Sequence, residues 1–142
     1  MRGAGSVARA ALGVVAGLLA LVLALVPERG AAQAGLEPAA LVGVWHGAER
    51  TGDLVVLGEL ILHPGGQYQR AFAVAHLQGF QSGRWELAAN WLRFVPTDYE
   101  PKVYLGIPQA PPPSETWVVH RFDGRVIEAT VGMTAIRYER VR

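Results

Sequence analysis

From Leu41 to Arg142, apolar clusters of five to ten residues alternate with turn chemistry, and no stretch keeps a helical period long enough to bury a stripe. That rhythm restricts the chain to an all-β fold. The clusters run over 41–47, 54–63, 68–76, 80–87, 91–95, 115–122, 126–131 and 134–141, which makes about eight strands. Pro64-Gly65-Gly66 and Asp123-Gly124 supply residues that preset φ or tolerate positive φ, so each joins its flanking strands as a hairpin. Eight short antiparallel strands can bury one face as a sandwich or as a barrel. Only the barrel also removes exposed edges, so a small up-and-down barrel is the expected fold.

Strand alternation assigns part of the interior. Ile136, Tyr138 and Arg140 share one face of the last strand, the apolar one, while Arg137 and Glu139 share the other. Leu41, Gly43 and Trp45 share a face of the first. Closure pairs these two strands and lays the Arg140 guanidinium over the Trp45 indole, a contact worth about 0.5–2 kcal/mol. Gly43-Val44-Trp45 in the opening strand, with an inward arginine near the chain end, resembles the way lipocalin-type barrels close their lower end. Thr97-Asp98-Tyr99 is similar to that family's second short motif. The resemblance covers Leu41 to Arg142 and implies a calycin-type barrel. By analogy alone it implies carriage of a small ligand, because fold does not dictate function.

The first segment reads as an address. Arg2 and Arg9 precede an uncharged run from Ala10 to Val26, and Ala32-Gln33-Ala34 offers small residues where a signal peptidase reads. Residues 1–34 are therefore expected to form a signal helix, removed before Gly35, with the barrel domain at 35–142. The alternative is an uncleaved anchor, since the run sits near the lower limit of about 17 residues for a spanning helix. Either way the remainder is expected outside the cytoplasm, periplasmic or secreted, touching a membrane only through an uncleaved N-terminus.

Composition removes several functions. Lys+Arg 13 against Asp+Glu 12 gives no basic surplus for a phosphate backbone, so nucleic acid is not an expected partner. Zero cysteines exclude disulfide scaffolds, cysteine-ligated zinc, thiol nucleophiles and covalent haem attachment. His46, His63, His76 and His120 have no metal-ligand spacing, and neither Ser82 nor Ser114 lies in a nucleophile elbow. Pro64-Gly65-Gly66 leads into a strand rather than into a helix that could hold phosphate. Asp98 and Glu100 lie beside Lys102, where solvation is expected rather than a raised pKa. No metal, cofactor or catalytic residue is expected, and an enzyme is the weakest of three functional classes.

The other two classes are a binding module and an envelope interaction protein with a filled core. Six of nine prolines fall at 96, 101, 108, 111, 112 and 113, so residues 96–113 are expected to form a stiff loop. Such a loop can cover an open barrel end by packing Tyr99, Tyr104 and Ile107 over it, or it can recognise a ligand or partner. His76 sits in phase with Tyr68, Phe72 and Val74, and His120 with Val118 and Phe122, so both can face inward. Arg70 and Arg84 share strand faces with Tyr68, Phe72 and Phe80. Were those faces interior, the cations would need an acidic partner such as Glu86 or an anionic ligand. Were they exterior, Ala71, Ala73, Ala75, Trp85 and Leu87 would fill a tight barrel, which is the favoured reading. The candidate ligand-binding residues are Tyr68, Arg84, Tyr99, Tyr104, Trp117 and His120, with Gly43, Trp45 and Arg140 as structural closure. The expected ligand is small and apolar or amphipathic; the alternative partner is another envelope protein.

Overall fold

The computed structural model describes residues 36–142, and the expected signal segment at 1–34 lies outside the described residues. Ten strands follow a single helical turn, α1 (Pro38–Leu41): β1 (Gly43–Thr51), β2 (Leu54–Leu62), β3 (Gln67–Val74), β4 (Leu77–Ala88), β5 (Trp91–Glu100), β6 (Val103–Tyr104), β7 (Ile107–Pro108), β8 (Glu115–Phe122), β9 (Val126–Val131) and β10 (Thr134–Arg140). Eight of them form a closed antiparallel barrel in the order β1-β10-β9-β8-β5-β4-β3-β2, and β6 pairs with β7 as a separate two-stranded hairpin. This closed eight-strand barrel is consistent with a calycin-like fold. The expected all-β class and barrel closure are both present.

Closure runs through β1 and β10 in a register that pairs Trp45 with Arg140 and Gly47 with Tyr138. The Arg140 guanidinium lies 4.2 Å from the Trp45 ring, as alternation predicts. It also donates to the carbonyls of Val42 at 2.7 Å and Gly124 at 2.8 Å, and to that of Ala40. Gly43 makes this approach feasible: its φ is +145°, and a Cβ there would press on the Arg140 guanidinium and the Arg142 carbonyl. The first strand starts later than expected. Pro38 sits in the first turn of α1, where a missing N–H costs nothing, and the Trp45 indole donates to the Leu41 carbonyl at 2.8 Å. Leu41 therefore plugs the lower end from a helical turn, buried, instead of opening a strand.

Inside, Trp45, Trp85, Trp117, Tyr68, Phe94 and Tyr138 fill the barrel with Leu60, Leu62, Leu92, Val119, Ile127 and Ile136. Rings meet edge-on or tilted, Tyr68 against Phe94 at 5.0 Å and Phe94 against Trp117 at 4.8 Å, the arrangement their quadrupoles favour. Glycines in the strands make room for these rings: a Cβ on Gly58 would meet the Tyr138 hydroxyl, and one on Gly79 would meet the Phe72 ring.

Two bulges break strict alternation. In β4/β5, Ser82 pairs with Asp98 but Gly83 with Pro96, which leaves Thr97 as an extra residue. In β8/β9, Val119 pairs with Ala129 but Arg121 with Glu128, so His120 is extra. Each bulge shifts the phase by one residue, turning Tyr99 and Phe122 toward the interior.

The stiff loop is shorter than expected. Residues 96–100 continue β5 against β4, and the irregular part begins at Pro101. β5 meets β8 over Trp91–Phe94 only, opposite Glu115–Val118. Above that point the strands part, and the prolines at 96 and 111–113 that flank the gap cannot donate to a ladder.

Candidate functional site

Hairpin connections 51–54, 74–77 and 131–134, together with the 101–114 segment, lie at one end of the barrel, the mouth; Leu41 and Arg140 close the other. The inner wall turns polar near the mouth. Glu49 follows Trp45 and Gly47 on the inward phase of β1, Arg70 follows Tyr68 on β3, and Glu115 precedes Trp117 on β8. These three form one cluster. Arg70 donates through Nη2 to Glu49 Oε1 and through Nη1 to Glu115 Oε2 at 3.3 Å. The Tyr138 hydroxyl donates to Glu49 Oε1 at 3.0 Å, and the Trp117 indole donates to Glu115 Oε1. The Arg70 guanidinium lies 5.8 Å from the Trp117 ring.

Burial sets the electrostatics. Glu49 is 8% exposed and Arg70 7%, whereas the Glu115 side chain keeps 26% of its surface toward the mouth. Desolvation holds the Glu49 carboxyl above its ordinary range and Glu115 adds repulsion; Arg70 and the hydrogen bonds from Tyr138 and Arg70 oppose this without cancelling it. Burial alone would pull Arg70 down, but Glu49, Tyr138 and Glu115 outweigh it and hold the guanidinium above its usual value. Burial raises the Tyr68 phenol to about 12 and, with the adjacent Glu49, raises Tyr138 as well. Arg70 Nε is buried with no hydrogen-bond partner.

On the far side of Gln81 from this cluster lies a cavity of about 140 Å³ lined by Phe72, Leu77, Phe80, Gln81, Tyr99, Glu100 and four residues between 101 and 112. Gln81 sits directly across the β3/β4 ladder from Arg70 and accepts a hydrogen bond from the Tyr68 hydroxyl at 2.9 Å. The Tyr99 hydroxyl donates to the Gln109 carbonyl at 2.9 Å, which ties the returning loop to the rim.

The six residues expected to bind ligand do not share one site. Tyr68 and Trp117 are interior, beside Arg70 and Glu115, and Tyr99 stands half-buried at the rim. Arg84 is on the outer wall, exposed, because β4 turns Gly83, Trp85 and Leu87 inward. His120 is also outside: the bulge removes it from the phase of Phe122, and it bonds Thr130 Oγ1 at 2.7 Å. His76 falls in an exposed turn after Ala75, whose φ is +50°. Tyr104 is half-buried in the β6/β7 hairpin, but Ile107 is exposed and does not cover the mouth.

The favoured exterior reading of the Arg70 face is overturned. Tyr68 and Arg70 are inside, Ala71 is outside, and the partners are Glu49 and Glu115, not Glu86, which pairs with Arg93 on the outer wall. Sequence reasoning missed both carboxylates: the two-residue period that marked Trp45 as interior runs straight to Glu49, but the inward phase expected for Val118 and His120 put Glu115 on the wrong face. Among the described residues no group of three or more His, Cys, Asp or Glu is placed to hold a metal ion. No known family model matches this sequence, and no curated protein matches it either.

Proposed function

We propose that this is an exported, non-catalytic binding module that takes a small amphipathic ligand at the barrel mouth. The observation that carries this reading is a polar cluster enclosed in the wall beside a rim cavity lined mainly by aromatic and aliphatic side chains, with Gln81 and Glu100 among them. A ligand pocket of this type has apolar walls and a few convergent polar groups that fix orientation. A cavity of about 150 Å³ lined by apolar side chains accommodates a benzene-sized group. The ligand's apolar part is therefore a single ring or a short branched chain. The lipocalin-like closure at Trp45 and Arg140 supports the same reading by analogy, and the signal-like segment at 1–34 supports export to the periplasm or beyond. Titration of the protein with benzyl alcohol, followed by NMR, is the test. Saturable shifts at Leu77, Gln81 and Tyr99 are expected, and no saturable shift at any of them would overturn the reading.

A second reading rests on how completely the protein fills its own lower barrel. Three tryptophans and two tyrosines are buried there, and the outer wall carries a groove of about 750 Å³ floored by Gly47, Ala48 and Ala135 between Arg50, Arg137 and Glu139. On that reading the protein is an envelope interaction domain whose outer wall meets another protein.

A further inference from the structure

The charge inside the mouth identifies the polar part of the ligand, on the premise that the mouth is the binding site. Among the described residues, Glu49, Arg70 and Glu115 are the charged side chains on the inward face of the mouth half. Arg140, the other inward cation, is held at the opposite end by three backbone carbonyls. One guanidinium therefore faces two carboxylates, and the enclosure carries one uncompensated negative charge when both are ionised. Glu49 accepts both of its hydrogen bonds on Oε1, from Arg70 and from Tyr138, and Oε2 accepts none among the described residues. Arg70 Nε is the one buried side-chain polar atom without a partner among the described residues, so Glu49 Oε2 is not sealed off and stays open to a donor.

We propose that the mouth selects an organic ammonium: a protonated amine on a ring-sized apolar body, its N–H groups donating to Glu49 Oε2 and to Glu115. An ammonium brings the missing positive charge and three donors with no acceptor of its own. A carboxylate ligand could meet the idle Arg70 Nε, but it would place a third negative charge beside two that already repel each other.

Three probes on the same ring decide the matter: benzylammonium, benzyl alcohol and benzoate, each titrated at neutral pH by NMR. Benzylammonium should bind on the order of tenfold tighter than benzyl alcohol, as a charge-assisted hydrogen bond allows, with benzoate weakest. Glu115→Gln, at the more exposed carboxylate, should erase most of that preference by weakening benzylammonium more than benzyl alcohol; Glu49→Gln should do the same wherever circular dichroism shows it folded. Equal binding of the three probes, or tightest binding of benzoate, overturns the charge selection and leaves the mouth as a binding site. A preference that survives in Glu115→Gln and in folded Glu49→Gln also overturns it. Failure of all three to bind overturns the binding site together with the selection.

Discussion

Glu49 shows how one inward residue links stability to pH. Its carboxyl is held above the ordinary value of 4.5 first by burial and then by Glu115, while Arg70 and the Tyr138 hydroxyl face it from the other side. In the folded protein it therefore keeps its proton at pH values where the unfolded chain has released it. The stability contributed by that proton is complete below 4.5 and is lost as the pH rises through the raised value. Comparing thermal unfolding of the wild type with Glu49→Gln from pH 7 down to 4.5 tests the sign. The difference should move in the wild type's favour as the pH falls, because glutamine does not titrate; a constant difference contradicts the assignment. Asp98 behaves oppositely: its hydrogen bond from Lys102, with one from its neighbour's backbone N–H, holds it below 3.8, so its contribution disappears in acid.

Between strands, the bulges determine which side chains reach the core. Strict alternation counted from Trp117 and Val119 would put Phe122 on the outer phase of β8; the bulge at His120 returns it inward, where its ring centroid approaches that of Trp45 to 6.3 Å. Truncating Phe122 should therefore cost several times more stability than truncating His120. Denaturant titration should give a loss of about 2–4 kcal/mol for Phe122→Ala, which removes an aromatic packed on Trp45, and under about 1 kcal/mol for His120→Ala. Similar losses would show that the phase shift does not bring Phe122 into the core. The Thr97 bulge acts in the same way on Tyr99; the bulge at His120 is why simple alternation put that histidine in phase with Phe122, whereas His76 lies beyond the end of β3. A phase slip of one residue moves every later side chain to the other face, and the apolar and polar counts around His120 do not reveal it.

Across the molecule, closure depends on one guanidinium. Arg140 joins the end of the chain to α1, to the β8/β9 turn and to the Trp45 ring, connecting segments up to 100 residues apart. Arg140→Ala would leave three carbonyls without their donor and uncover the indole. The expected loss is about 2–4 kcal/mol in a single cooperative transition, read by chemical denaturation. Arg140→Lys should recover less than half of it, since an ammonium cannot reproduce the planar fork over an indole. Full recovery by lysine would mean that charge alone holds the lower end.

The sequence by itself determined the eight barrel strands, the antiparallel hairpins and the meeting of Trp45 with Arg140, because these follow from a two-residue period and from turn residues next to one another in the chain. Only the tertiary structure decided where the polar cluster forms. Glu49, Arg70 and Glu115 lie on three strands whose mutual heights depend on barrel stagger and on two bulges, and the cost of burying a charge becomes computable only once its partner's position is known.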